Sequence, residues 1–359
     1  MENQTISPIS PEELLATTQS RLVILATLAP IAGKTRFQPA GFPEIGHVIY
    51  NAPDNQKVCI VDSAASMANH LETVCVHGFD LSLVEELSGL PYVECVTGEN
   101  KNELVVTTFS EGHRLASDYF LAGSRLVNDS IEDRKFGVVL RNDEFNLRDL
   151  KKKTHPLPAQ WWNVFKAIFR YDPNSLVHGI LFPAMGIKLP RVLTATLDAF
   201  GADRVATSGV KFDKLGHTNS GQPIFAKDEE TASEIRAAFT IDLALIRSFG
   251  RGNDGLSAVQ KQLILGLALW KIGKLLGTSF RYRSECDLEL TGIQIDGMPS
   301  PVSALFVNMQ TLIENAGFQD PRVTKIYWNE SDLFKQSKDS ADDSEKDNDD
   351  DADQSDEAE

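Results

Sequence analysis

The chain has 359 residues and a mass of 39.6 kDa, and 42% of its residues are hydrophobic against 24% charged. These proportions fit one elaborated or two ordinary globular domains and exclude a disordered, collagen-like or membrane-embedded chain. The formal net charge is −16, but Asp339 to Glu359 alone holds twelve acids and one lysine, so the acidity belongs to a tail and does not exclude a nucleic-acid partner.

Residues 1–20 are polar and proline-punctuated and are expected to be mobile. RLVILATLA (Arg21 to Ala29) and KVCIV (Lys57 to Val61) read as strands, and SAASMANHLETVCV as a helix capped by Asp62 or Ser63. YVECV and ELVVTTF read as strands, followed by a helix from His113 to Leu121. Trp161 to Tyr171 is predicted helical with an aromatic face, Leu176 to Phe182 extended, Arg191 to Phe200 helical, and Asp203 to Ser208 extended. Val210 to Glu230 contains Gly216, Gly221 and Pro223 among polar residues and suits a long protruding hairpin, a candidate arm.

IRAAFTIDLALIRSF alternates like a strand and leads through the loop GRGNDG into a long helix from Ser257 to Leu276. A strand at Asp287 to Ile293, a helix from Pro301 to Ala316 and a strand near Arg322 to Ile326 close the folded part. From residue 335 onward the chain has almost nothing to bury. Strands interleaved with helices and no internal repeat predict an α+β or α/β sheet with helices packed on it.

Cys59, Cys75, Cys95 and Cys286 have no C-x-x-C spacing, so reduced thiols in a cytoplasmic protein are expected. The N-terminus lacks the basic-then-apolar pattern of a secretory signal. The most apolar run, Leu263 to Leu276, is broken by Lys271 and Lys274 and is shorter than the roughly 20 residues a bilayer needs, so no membrane association is expected.

Two segments are basic, Arg148 to Arg170 and Arg247 to Arg283, the latter with seven bases and one acid. The second contains Gly250-Arg251-Gly252-Asn253-Asp254-Gly255, which matches G-x-G-x-x-G between a strand and a helix. That pattern can bind a dinucleotide pyrophosphate on a helix N-terminus, can be a structural turn, or, with Arg247 and Arg251 beside the glycines, can grip polynucleotide phosphates. Lys261, Lys271, Lys274, Arg281 and Arg283 follow, and Gln260, Lys261 and Lys271 fall within about 100° of one another on a helical wheel, a narrow cationic face. A solvated stripe is the plainer reading of any one lysine.

The seven histidines show no H-E-x-x-H or H-x-H pattern, and no cysteine pairs with them at metal spacing, so no metal or cofactor is expected. His113 followed by Arg114 reads either as an acid/base and phosphate pair for RNA cleavage or as capping and packing. After the first strand, Lys34 and Arg36 alternate with Phe37 and Phe42; cations interleaved with rings suit single-stranded nucleic acid, the alternative being aromatics tucked into the core.

FQPAGFPEIG, VDSAASMANHLE, TTFSEGHRLASDYF, HGILFPAMGIKLPRVLTA, TSGVKFD, RSFGRGNDGLSAVQKQLILGLALWKIGKLL and RYRSECDLEL follow one another along the chain. Together they resemble the CRISPR-associated RAMP-superfamily backbone protein of type I-U, or I-G, effector complexes, over about Arg21 to Ile326. The resemblance implies an RNA-recognition-motif-like, ferredoxin-type core with large insertions, described as palm, fingers and thumb. It further implies a non-enzymatic subunit that stacks head to tail with its own copies along a CRISPR RNA, beside other effector subunits, while the guide pairs with target DNA.

On this reading residues 21–334 form the RNA-binding domain, residues 210–230 its thumb and residues 335–359 a disordered acidic tail. The expected RNA contacts are Lys34, Arg36, Phe37, His113, Arg114, Lys188, Arg191, Lys211, Arg247, Gly250, Arg251, Gly252, Lys271, Arg281 and Arg283. An RNA-cleaving enzyme of the same superfamily and a dinucleotide-dependent enzyme using the Gly250 loop are the alternatives.

Overall fold

A computed structural model describes residues 8–42, 46–147, 156–205 and 229–333. Its centre is an antiparallel sheet whose four middle strands are, in chain order, β1 (Arg21–Pro30), β2 (Leu193–Phe200), β3 (Glu234–Asp242) and β4 (Cys286–Ile295). They lie side by side as β4-β1-β3-β2, with Phe280–Arg283 beyond β4, and Lys57–Asp62 and then Ile49–Asn51 beyond β2. Phe239 of β3 stands between Ile24 of β1 and Ala195 of β2.

Alternation decides which face is covered. Leu22, Ile24, Ala26 and Leu28 of β1 point to the same side as Ile235, Ala237, Phe239 and Ile241 of β3, and all are buried. Against that side pack α1 (Ala64–Thr73), on β2, and α2 (Ala258–Gly277), on β3 and β4. The opposite face is only half-buried and carries short rows such as Val23, Thr240 and Thr194.

The segment expected to be a helix from Arg191 is the strand β2. Leu193, Ala195, Leu197 and Ala199 are buried at every second position and alternate with Thr194, Thr196 and Asp198, which is the strand period. Leu176 to Phe182, expected to be extended, divides into a helix, Pro173–His178, with proline in its first turn, and a strand, Ile180–Phe182, parted by Gly179 at φ +76°. The N-terminal segment is packed from Ile9: Ser10 Oγ caps the helix Pro11–Ala16 by accepting from Glu13 N, and Ile9 N donates to Ala304 O at 2.8 Å.

The long helix α2 runs as expected, but it is a core helix instead of an amphipathic one. From Leu263 to Leu276 every residue except Lys274 is buried. Helices or turns from Pro11–Ala16, Ala64–Thr73, Pro173–His178, Val302–Leu305 and Met309–Ala316 surround it. Each fully buried Leu or Ile there stabilises the fold by about 1.5–3 kcal/mol.

A second sheet joins Ser130–Lys135, Ser124–Val127, Val323–Tyr327, Tyr92–Thr97 and Glu103–Thr107 in that order, with Val323–Tyr327 parallel to Tyr92–Thr97. The class is therefore α+β with mainly antiparallel sheets. The candidate arm, 210–230, lies outside the described residues except at its end: Glu229–Thr231 pairs with Asp203–Val205 on one side and Arg36–Phe37 on the other. Residues 1–7 and the tail from 334 also lie outside them.

Candidate nucleic-acid interface

The expected RNA contacts divide into three groups, and five of their ten described lysines and arginines meet acids of this same chain. Near the end of β1, Lys34 Nζ is 3.4 Å from Glu285 and Arg36 Nε 3.0 Å from Glu229, while Phe37 is 1% exposed and presents no ring face to a base. The Phe42 side chain and Lys211 lie outside the described residues. Arg281 pairs with Asp287 at 2.6 Å; Arg283 spans Asp62 at 2.9 Å and the carbonyl of Val61 at 2.7 Å. Asp62 also accepts from His70 Nε2 at 2.8 Å, and His70 together with Arg283 holds this buried carboxyl below the usual carboxylate range despite the opposing effect of burial.

The second group is the glycine loop, which folds as a tight hairpin of Gly250–Arg251 against Asp254–Gly255. A Cβ on Gly250 would lie 2.0 Å from Leu256 O, and one on Gly255 2.3 Å from Phe249 O, so both glycines admit close approach of the chain to itself and not to a ligand. Gly252, at φ +60° with open space around it, serves the turn. The N-terminus of α2 is closed by a reciprocal cap: Ser257 Oγ accepts from Gln260 N, and Gln260 Oε1 accepts from Ser257 N at 3.0 Å. A pyrophosphate has no free helix terminus there. Arg247 turns inward, donating from Nη2 to Gln19 O, and Lys261 Nζ donates to Gly250 O at 3.1 Å; Arg251 is exposed on the hairpin.

The third group gathers His113, Arg114, Lys188 and Arg191 around one cleft. Arg114 and Lys271 belong to a buried polar network beneath it. Arg114 donates from Nε and Nη2 to the two oxygens of Glu72 at 2.6 and 2.7 Å, and Asn174 Nδ2 donates to Glu72 Oε1 at 2.6 Å. Lys271, completely buried and not on a solvent-facing stripe, donates to Asn174 Oδ1 and to His178 Nε2, the latter at 2.9 Å. As an ammonium Lys271 has only hydrogens to offer, so His178 Nε2 is the acceptor and the ring proton sits on Nδ1.

Burial dominates the acid–base behaviour of this network. It lowers the Lys271 pKa, and with the charges of Lys271, Arg114 and Arg191 it drives His178 well below its ordinary value. Burial likewise raises Asp172 to about 7, against the hydrogen bond that Ser175 Oγ donates to its Oδ2 at 2.6 Å. Asp172 Oδ1 and His178 Nδ1 are two of the four buried side-chain atoms without a partner among the described residues.

The cleft itself encloses about 310 Å³ between the turn Gly112–Arg114 and the hairpin of Ile180–Phe182 with Ile187–Leu189. Arg114, Lys188, Arg191, His113 and His178 line it, and among the described residues no carboxylate does. Lys188 is exposed; Arg191 is half-buried and anchored by Nη1 to Ala64 O at 2.8 Å. His113 is 85% exposed in its side chain and 3.3 Å from Glu111. His178, Asn174, Glu72 and Asp172 are not among the residues the sequence places at the site; the polar run Asp172-Pro173-Asn174-Ser175, set between two apolar stretches, is the sequence signal that marks Asp172 and Asn174.

Among the described residues no cluster of three His, Cys, Asp or Glu side chains could hold a metal ion, and no helix is long and apolar enough to cross a membrane. The family model for CRISPR-associated protein GSU0053 matches residues 22–204, just over half of the chain. The chain belongs to this CRISPR-associated family. Four of the motifs that carry the resemblance, FQPAGFPEIG, VDSAASMANHLE, TTFSEGHRLASDYF and HGILFPAMGIKLPRVLTA, lie within the matched span, and so does every residue lining the cleft. No curated protein matches the chain. The crystal structure of Thermofilum pendens Csc2 aligns with a TM-score of 0.30 and 10% identity, covering 94% of this chain and 80% of that one, a likeness too slight to define fold or activity.

Proposed function

We propose that this family member is a non-enzymatic backbone subunit of a type I-U, or I-G, CRISPR effector complex. It holds a CRISPR RNA by its phosphates, stacks head to tail with copies of itself and stands beside other subunits while the guide pairs with target DNA. The observation that carries this reading is the cleft that Lys188 and Arg191 line with no carboxylate among the described residues, in contrast to the ion-paired cations near β1 and β4. Cations lining a cleft whose described wall holds no acid leave a positive potential there that attracts a polyanion. The strand order β4-β1-β3-β2, all antiparallel, supports the RNA-recognition-motif-like, ferredoxin-type core, with the link between β2 and β3 supplying the thumb.

The absorbance ratio at 260 and 280 nm, for protein expressed alone and with a CRISPR array, tests the reading. Co-purifying RNA in the second preparation is the expected result; a low ratio in both would overturn it. Deleting Asp213 to Lys227 is expected to leave a folded monomer that no longer assembles along the RNA, and normal assembly would remove that segment from the thumb. The exposure of His113 at the same cleft as Lys188 favours one second reading, RNA cleavage with His113 as the acid or base. Labelled guide and complementary RNA incubated with the protein distinguish the two: cleavage products that vanish in His113→Ala would replace the scaffold by a nuclease.

A further inference from the structure

The cleft has one feature that attraction of phosphates does not explain. On its hairpin wall Leu181 stands directly opposite Lys188, both pointing outward, and Leu181 is 54% exposed. The strand's other two residues, Ile180 and Phe182, are buried, so the leucine is an apolar group left in water beside a cation and not a residue of the core. Across the cleft Gly112 is bare backbone, with nothing within 4 Å of where its Cβ would be. The wall is therefore apolar and cationic side by side, and the facing rim is open.

We propose that this cleft seats one nucleotide unit of a single-stranded RNA, its phosphate against Lys188 and Arg191 and the apolar face of its base or ribose against Leu181. This rests on the RNA-holding reading above. The chemistry divides the labour: Lys188 brings a mobile point charge, and Arg191, already anchored to Ala64 O, brings a fixed guanidinium that suits phosphate oxygens. Leu181 removes apolar surface from water whichever base is present, because every nucleotide has a phosphate and a flat ring. A volume of about 310 Å³ lies at the small end of ligand clefts, the scale of one unit and not of a duplex. Arg114 takes no part in gripping the phosphate, since Glu72 and the Gly112 carbonyl already occupy its guanidinium.

The two contacts have different signatures in binding of a short fluorescent single-stranded RNA across a salt series. Lys188→Ala is expected to reduce the slope of log affinity against log salt by about 0.7, the value for one phosphate contact on a single strand. Leu181→Ser is expected to weaken binding by roughly three- to tenfold at every salt concentration with the slope unchanged. Both residues are exposed, so both variants should melt with the wild type, and the melting curves verify it. Wild-type binding left intact in affinity and slope by both substitutions would overturn the nucleotide seat while leaving the scaffold reading standing. A Lys188→Ala loss without a change in slope would also overturn it, because the lysine would then not be meeting a phosphate. Absence of RNA binding by the wild type itself would overturn the scaffold reading and the seat together.

Discussion

The guanidinium of Arg114 and the carboxylate of Glu72 meet fork to fork, at 2.6 and 2.7 Å, with both side chains almost completely buried. Arg114 adopts φ +53°, a left-handed conformation that a non-glycine residue keeps only when its surroundings hold it there. Removing one member of such a pair strands the other charge in the interior.

Arg114→Ala is accordingly expected to destabilise the fold by about 3–5 kcal/mol. Any loss of RNA binding should then accompany loss of structure. Urea titration checks this, and a variant with unchanged midpoint and slope would place Arg114 outside the structural network.

Asp172 and His178 make opposite contributions to stability as pH changes. Raised from 3.8 to about 7, Asp172 binds a proton in the folded state that the unfolded chain releases, so its contribution declines as pH rises from about 4 to 7. His178, lowered from 6.5, contributes in the other direction, its stability being lost as pH falls below 6.5. The two slopes oppose each other over most of that window. Asp172→Asn keeps an acceptor for Ser175 Oγ and removes only the first, so the variant should gain stability relative to wild type by about 1.4 kcal/mol per pH unit between pH 5 and 6.5. A difference between the two proteins that stays constant across that range would refute the shifted Asp172.

The three glycines of the 250 hairpin should not respond alike to alanine. Gly252→Ala adds a side chain in open space at positive φ and is expected to cost about 1–2 kcal/mol. Gly250→Ala sets a methyl 2.0 Å from Leu256 O and should cost more, because backbone must move. Equal melting temperatures for these two variants would contradict the packed hairpin.

Arg247 and Arg251, neighbours on the sequence reading, should separate experimentally. Arg247→Ala removes the inward bond to Gln19 O and is expected to speed amide exchange in residues 8–20. Arg251→Ala, at an exposed position, should change stability by no more than about 0.5 kcal/mol and reveal itself only through the salt dependence of RNA binding. Unaltered exchange in the first variant would detach Arg247 from the N-terminal segment.

Much of the architecture was legible in the chain. The strands at Arg21, Lys57, Tyr92 and Glu103 and the helices at Trp161 and Ala258 follow periodicity and caps, both local properties. The family followed from separated motifs in order, four of them inside the matched span. Arg191 to Phe200 misled because Leu, Ala and Thr suit either period over ten residues, and pairing of β2 with β3 decided between them.

Which cations are available to a ligand was decided only by the tertiary structure. Lys271 and Lys274 lie three residues apart on one helix, yet the first is sealed with Asn174 and His178 and the second reaches Glu86 at the edge. Glu285 comes to Lys34, Glu72 to Arg114 and Asp62 to Arg283 from 42 to 251 residues away along the chain. A side chain's own periodicity encodes the face it occupies on its element, whereas the free energy of its charge depends on groups within a few ångströms, and those are gathered by the fold from distant sequence.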